Sequence, residues 1–412
     1  MNRHTIFRSA LLCALFLSLS WTVEAQQRVP GTRAFVPSPQ VLGMGGAAAA
    51  YPTTRTALFY NPAHLTHLRV TRAPITMLGL SASISNNFPN QLDFYNDRLE
   101  PAIQEGIENL NEEDEQTLYE DVFREAGTPT VLSGDVLLPS FVLNRGAFGV
   151  GGGIFAHSEV AYSVEDAGAG VPGVDFTALV DLMAVAAGAV DFAPLGLKGL
   201  SAGVTSKYSQ RYLSLKVKPV DAIDDDESLY VLGASSFGVD VGLLYSANLS
   251  IPGQLNFGVV WSDLTLKNYD YSFTAYYTKN EEVRDDRAIA TEVALAQERY
   301  QLSPTFRAGV AYVLPVLAGP LKETAVALDY IRYEDALVDQ PVLGQLSLGL
   351  QTTLGKTLSL RTGLNQGYTT FGAGLQLSFV RIDYAYYGSE QGRLPGQSAS
   401  WHHRVQVSLG SF

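Results

Sequence analysis

From Ala73 to Phe412 the sequence alternates apolar residues with small or polar ones in about fourteen successive runs, and a side-chain period of two is the mark of a β-strand. Leu346, Leu348, Leu350 and Leu354 lie on one face of such a run, with Ser347, Gly349, Gln351 and Thr353 on the other. In the next run Leu358, Leu360 and Leu364 oppose Ser359, Arg361 and Gly363; after it, Phe371, Ala373, Leu375 and Leu377 oppose Gly372, Gly374 and Gln376, and Ile382, Tyr384 and Tyr386 oppose Asp383 and Ala385. Val180, Leu182, Ala184, Ala186 and Val190 share a face in strand phase while Asp181 and Asp191 point the other way. Apolar outside and polar inside is what a barrel wall in lipid requires. Further runs fall near 73–85, 135–145, 147–163, 175–192, 199–217, 233–248, 254–270, 299–314, 322–334 and 400–412. Several exceed ten residues, enough for a tilted strand to cross the hydrocarbon layer, whereas the strands of a secreted β-sandwich average five or six.

The connections alternate as regularly as the strands. Asn144-Arg145-Gly146, Ala193-Pro194-Leu195-Gly196, Ile251-Pro252-Gly253, Ala318-Gly319-Pro320, Leu354-Gly355-Lys356 and the turn near Phe379 are short. Between them come longer stretches at 86–134, 164–174, 218–232, 271–298, 335–342 and 388–399; the short link at Asn365-Gln366-Gly367 is the exception. In outer-membrane barrels short turns face the periplasm and long loops face outside. An even strand count then places both termini in the periplasm. Aromatic clusters at strand ends, Tyr269, Tyr271, Phe273, Tyr276 and Tyr277 in one and Tyr384, Tyr386 and Tyr387 in another, suit an interfacial girdle.

Residues 1–25 read as a signal peptide: Arg3 and Arg8, an apolar stretch from Ser9 to Trp21, and Val23-Glu24-Ala25 before the expected cleavage. The sole cysteine, Cys13, lies in that apolar stretch after Leu11-Leu12, which does not fit a lipid anchor. Export therefore leaves no thiol for disulfides, thiolate chemistry or a Cys-based metal site. A formal net charge of −13 argues against a nucleic-acid partner. Past the signal there is no uncharged apolar run long enough for a transmembrane helix, and no linker divides the strand-rich region.

Ahead of the first strand lies Leu42-Gly43-Met44-Gly45-Gly46-Ala47-Ala48-Ala49-Ala50, followed by Ala57-Leu58-Phe59-Tyr60-Asn61-Pro62-Ala63. Small residues permit close backbone packing, so this piece suits a crowded interior. Gly43, Gly45 and Ala48 match a dinucleotide fingerprint by chance, since Pro37 and Pro39 occupy the place of the strand that such a motif needs. The glycine-rich segment followed by Asn61-Pro62-Ala63, with Asp383-Tyr384-Ala385-Tyr386 near the end, resembles the FadL-type outer-membrane barrels and their PorV-like and TraF-like relatives in Bacteroidetes-type bacteria. That resemblance implies an all-β transmembrane antiparallel barrel of about fourteen strands, with an N-terminal hatch in the lumen. Residues 26–72 would form the hatch, with Gly43, Gly45, Gly46, Asn61, Pro62 and Ala63 as its ligand-side or hatch residues; 73–412 would form the barrel. His64 departs from the glycine usual after the Asn-Pro-Ala stretch, and Val405, Val407 and Leu409 run one residue out of phase with the terminal Phe412.

The stretch 97–127 is helical in pattern, with Ile103, Ile107 and Leu110 and then Leu118, Val122 and Phe123, and it is strongly acidic. It reads as a solvated cap on the first outer loop, or as a lid over the pore. Asp224-Asp225-Asp226-Glu227 and Asp285-Asp286 lack the ordered spacing of a calcium loop and read as charged loops. His402 and His403 lie on the last strand beside the one carrying Asp383, and one of them must face inward; His64 and His67 are three apart. With no Gly-x-Ser-x-Gly elbow, no catalytic site, cofactor or metal is expected, and the chain reads as a non-enzyme. Two functions remain open: FadL-like, porin-type uptake or passage of small hydrophobic compounds, and a PorV-like barrel serving a protein secretion system as a shuttle. The partners implied are outer-membrane lipid together with either hydrophobic small molecules or secretion-system proteins.

Overall fold

The computed structural model describes residues 35–51, 57–68, 75–126, 129–166, 171–219, 229–247, 252–277, 286–315, 321–333, 342–355, 357–390 and 399–411. The signal region, Asp224–Glu227, Asp285 and Phe412 lie outside the described residues.

Strands β1 (Ile75–Ser85), β2 (Thr130–Arg145), β3 (Phe148–Asp166), β4 (Pro172–Asp191), β5 (Leu200–Pro219) and β6 (Leu229–Ala247) follow one another round the wall. They are followed by β7 (Gln254–Lys267), β8 (Ser272–Tyr277), β9 (Thr305–Val313), β10 (Leu321–Tyr333), β11 (Leu346–Leu354), β12 (Leu358–Asn365), β13 (Tyr368–Leu377), β14 (Val380–Glu390) and β15 (Ala399–Gly410). Each pairs antiparallel with its neighbours, and β1 closes on β15. β7 and β8 both pair with β6, β7 from Ala247↔Leu255 to Phe237↔Lys267 and β8 from Gly233↔Ser272 to Leu229↔Tyr277. They are two parts of one wall strand interrupted at 268–271, so the closed barrel has fourteen.

The alternation read in the sequence becomes the two faces of the wall. Leu348, Leu350, Leu360, Leu364, Phe371 and Leu375 are exposed on the outside, whereas Ser347, Arg361, Thr370 and Asp383 are buried inside. Val180 and Leu182 face out while Asp181 is buried between them. At β2 the ladder with β3 slips by one place between Leu137 and Ser140, around Pro139, because proline has no N–H to give to the ladder.

The barrel is taller on one side. β3 to β6 run 19 or 20 residues, whereas β11 to β13 run 8 to 10. At about 3.3 Å per residue and a tilt near 40°, twenty residues rise about 50 Å against an apolar band of about 25 Å. The excess stands at the long-loop end, where two helical pieces brace it.

The first of these is broader than expected: helical turns run from Phe88–Phe94 through Tyr95–Leu99, Glu100–Glu105 and Ile107–Asn109 to Glu112–Ala126. Asn111 caps the last helix by accepting from the Asp114 amide at 3.0 Å, and Glu112, Glu113, Asp114 and Glu115 place negative charge on its first turn. Its buried side, Leu118 and Val122, packs with Ile107 on Val164 of β3. The second piece corrects the sequence reading. The stretch 271–298, read as a long connection, carries the helix Asp286–Arg299, which runs to the start of the strand expected at 299–314 and folds inward: Ile289 and Ala296 are buried. Tyr269 and Tyr271, expected in the girdle, are likewise buried inside. Tyr384 and Tyr386 do face outward, beside His403 and Trp401, with Tyr386 stacked on Trp401 at 5.2 Å, while Tyr387 turns inward onto His402.

Candidate functional site

Residues 35–51 and 57–68 lie inside the barrel, and the wall is shaped around them. Gly43, Gly45 and Gly46 form a tight turn after the short helix Pro39–Leu42; Gly45 and Gly46 adopt φ +64° and +87°, a left-handed conformation that a side chain resists. A Cβ on Gly349 would meet the Met44 carbonyl oxygen at 2.5 Å, and one on Gly372 would meet the Gly43 Cα at 3.0 Å. On the opposite wall a Cβ on Gly203 would come within 2.5 Å of the Pro62 carbonyl carbon, and Gly242 lies against Asn61. Wall glycines on at least four strands thus form the seat of the inner segment.

Polar bonds fix that seat. Asp329 of β10 accepts the Ala48 and Ala49 amides, each at 2.8 Å, and pairs with Arg307 of β9 at 3.2 Å. The Arg307 guanidinium also donates to the Gly46 carbonyl at 2.5 Å. Thr370 of β13 accepts from the Gly45 amide at 3.0 Å and donates to the Gly43 carbonyl at 3.1 Å. Asn61 caps the short helix Pro62–Thr66 by accepting from the Ala63 amide at 3.0 Å, and its side-chain nitrogen donates to the Ala49 carbonyl at 2.7 Å. Pro62 presets the first helical turn, where its missing N–H costs nothing. The six residues singled out in the sequence therefore fall in two turns, both buried against the inner wall, and Asn61 joins the second turn to the first segment.

His64 and His67 turn to separate partners. His64 Nε2 lies 2.9 Å from the Ala49 carbonyl, and burial lowers its pKa to about 4, so the ring is neutral at neutral pH. His67 lies 2.9 Å from the Ser201 hydroxyl. On the last strand His402 faces inward between Ser85 and Ser389, at 3.2 and 3.1 Å, and His403 faces outward to the Tyr384 hydroxyl at 2.9 Å.

The remaining lumen is lined by paired charge. Arg211 holds Asp181 through two bonds of 2.7 and 2.5 Å, Arg361 holds Asp383 at 3.0 Å, Lys207 sits between Asp240 and Asp263, and Arg404 pairs with Asp135, which also bonds His157 at 2.7 Å. Opposite charges held this close cancel much of one another's field, which weakens steering of an ionic substrate. Against this polar lining runs an apolar track. Phe59, Leu58 and Leu65 of the inner segment join Phe155, Met183 and Leu179 of the wall, and through Leu213 and Leu232 the cluster reaches Tyr300 and Leu302 at the long-loop end. Sequence patterning missed the track because its wall residues occupy inward positions where polar residues are the norm. The signal was present in the sequence, in apolar residues at two successive inward places of β5, Leu213 and Leu215.

No curated protein matches the chain. Among solved structures it is similar to the Ralstonia pickettii toluene transporter TbuX, at 12% identity and a TM-score of 0.50, covering 93% of this chain and 100% of that one. It is similar also to the TodX deltaS2S3 mutant monoaromatic hydrocarbon channel, at 13% identity and a TM-score of 0.50, over 91% and 98% of the two chains. A Pseudomonas aeruginosa FadL homologue aligns at 12% identity and a TM-score of 0.43, over 93% and 99%. The family model described as "F plasmid transfer operon, TraF, protein" matches residues 58–317, more than half of the sequence. The chain belongs to that TraF family, and its barrel shares the fold of the solved toluene transporter TbuX and the TodX channel.

Proposed function

We propose that the barrel passes small hydrophobic compounds through the outer membrane, entering at the long-loop end, which faces outside, and leaving at the short-turn end in the periplasm. The observation that carries this reading is the apolar track: a contiguous cluster of aliphatic and aromatic side chains in a lumen whose charged side chains are held in ion pairs. An apolar molecule gains by moving along such a row, at about 25 cal/mol per Å² of surface withdrawn from water, and it makes no demand on the paired charges beside it. The fold shared with the solved toluene transporter TbuX agrees with this reading. Residues 35–51 and 57–68 are the hatch, and the turns at Gly43–Gly46 and Asn61–Ala63 are the parts that yield when a compound passes. The test is uptake of labelled toluene by cells carrying the protein and by cells carrying Leu179→Asp, which interrupts the track. Passage predicts uptake above the empty-vector level in the first and near that level in the second. Equal uptake in all strains, together with stoichiometric protein partners on detergent extraction, would replace this reading with a shuttle in protein secretion.

A further inference from the structure

Toward the long-loop end the polar lining gives way to a compact aliphatic row. Directly beyond the Asp181–Arg211 pair, toward the long-loop end, Leu179, Leu213 and Leu232 are cross-strand neighbours in one row across β4, β5 and β6, with Leu215 above them. All four are buried, although they sit on the inner face of a vestibule. What joins them in one packed cluster is the strap between β8 and β9: Ala296, Tyr300 and Leu302 are buried there and Val293 packs alongside. Ile289, Val293, Ala296 and Tyr300 follow the spacing of one helix face.

Polar groups fasten the strap around the aliphatic row, among them Glu292, buried on the same helix face and 3.8 Å from Lys216. The Tyr300 hydroxyl lies 2.6 Å from that of Thr177, Arg211 reaches the Tyr300 carbonyl at 3.4 Å, and the Arg211 guanidinium stacks on the Tyr269 ring at 4.4 Å. Asn268 accepts from the Leu302 amide at 2.9 Å and donates to the Leu302 carbonyl at 3.1 Å, and Arg299 pairs with Asp175 at 3.1 Å. These bonds set the position of the strap, while its affinity for the row comes from apolar burial that any small hydrocarbon could supply instead.

We propose that Leu179, Leu213, Leu215 and Leu232 form a binding shelf for a small uncharged apolar molecule, and that helix Asp286–Arg299 with Tyr300–Leu302 is an autoinhibitory strap occupying that shelf until the ligand displaces it. The proposal rests on the passage reading and adds the site and its occupant. A strap that competes with the ligand lowers apparent affinity by the fraction of molecules in which the shelf is uncovered. Weakening the strap should therefore tighten binding, which is the opposite of what loss of a lining residue does.

The mature sequence has no cysteine, so Ala294→Cys on the exposed side of the helix and Tyr212→Cys on the outer face of β5 can carry two spin labels without further change. Toluene is added to the full-length mature protein in nanodiscs. Binding is followed by headspace partitioning against empty nanodiscs, and the label separation by pulsed electron resonance. Saturable binding with a longer label separation is the expected result. Saturable binding with an unchanged separation overturns the strap and leaves passage standing; absence of saturable binding overturns both. Tyr300→Ala should bind toluene about tenfold more tightly by the competition argument, and unchanged or weaker binding by this variant overturns the proposal. Leu213→Asp should abolish binding while retaining the heat-modifiable gel migration of an intact barrel. Undiminished binding there places the ligand elsewhere.

Discussion

At the scale of single residues, the barrel is held to its inner segment by a few side chains that each do two jobs. Asp329 receives two backbone amides of the glycine-rich turn and balances Arg307, which itself holds Gly46. Asp329→Ala leaves the buried Arg307 guanidinium without its counter-charge and two amides without their acceptor, a change that costs about 3–5 kcal/mol. It should expose residues 35–51 to limited proteolysis while β-sheet circular dichroism persists; an unchanged cleavage pattern would show that the turn is held by packing alone. Gly349→Val places side-chain atoms where the Met44 carbonyl lies and should destabilise by about 1–3 kcal/mol, seen as a lower unfolding temperature. His64 gives a pH dependence with a definite sign. Burial lowers its pKa to about 4 in the folded state, whereas the unfolded ring titrates near 6.5, so the unfolded chain takes up the proton first. Stability contributed at this position is intact above pH 6.5 and declines as pH falls from 6.5 to 4. Thermal unfolding of His64→Gln should lose that part of the acid sensitivity, and an identical pH profile in both proteins would contradict it. Asn61 and the glycines were legible in the sequence as small or turn-forming residues, but Asp329 and Arg307 were not. Each looked like any inward polar position until the fold brought β9 and β10 to the glycine-rich turn.

At the scale of elements, the two helical pieces of the long-loop end separate into a cap that covers and a strap that enters. The cap announced itself through Leu118 and Val122 at helical spacing among acidic residues, and its docking on Val164 is a plain hydrophobic contact. Leu118→Ala should cost about 2–5 kcal/mol of cap docking. Hydrogen exchange should rise across 112–126 and stay unchanged in β11 to β14; uniform acceleration throughout would mean that cap and barrel unfold as one unit. The helix Asp286–Arg299 was hidden for a physical reason. Its alanines and scattered charges make a weakly amphipathic pattern, and the side it buries is small enough to enter a barrel. In the sequence Tyr269 and Tyr271 suit the membrane interface, but an aromatic cluster at a strand end has two homes, lipid headgroups or a lumen. Only the bend at 268–271 between β7 and β8 decides for the lumen.

At the scale of the whole molecule, closure of β1 on β15 leaves no unpaired edge around the wall at that seam, and an apolar exterior makes detergent or lipid obligatory. The unboiled protein should migrate on a denaturing gel apart from the boiled form, and identical migration would contradict a closed barrel. Period two, strand number, the alternation of short turns with long loops and the small-residue segment ahead of the first strand were all written in the sequence, because each is a local pattern that a membrane wall enforces residue by residue. The tertiary structure alone decided which polar residues meet across the lumen, that β7 breaks to send Tyr269 and Tyr271 inward, and that an apolar row crosses the polar interior beneath a helix. Those features depend on side chains far apart in the chain meeting inside a closed cylinder, and a two-residue period says which face a side chain is on but not what stands opposite.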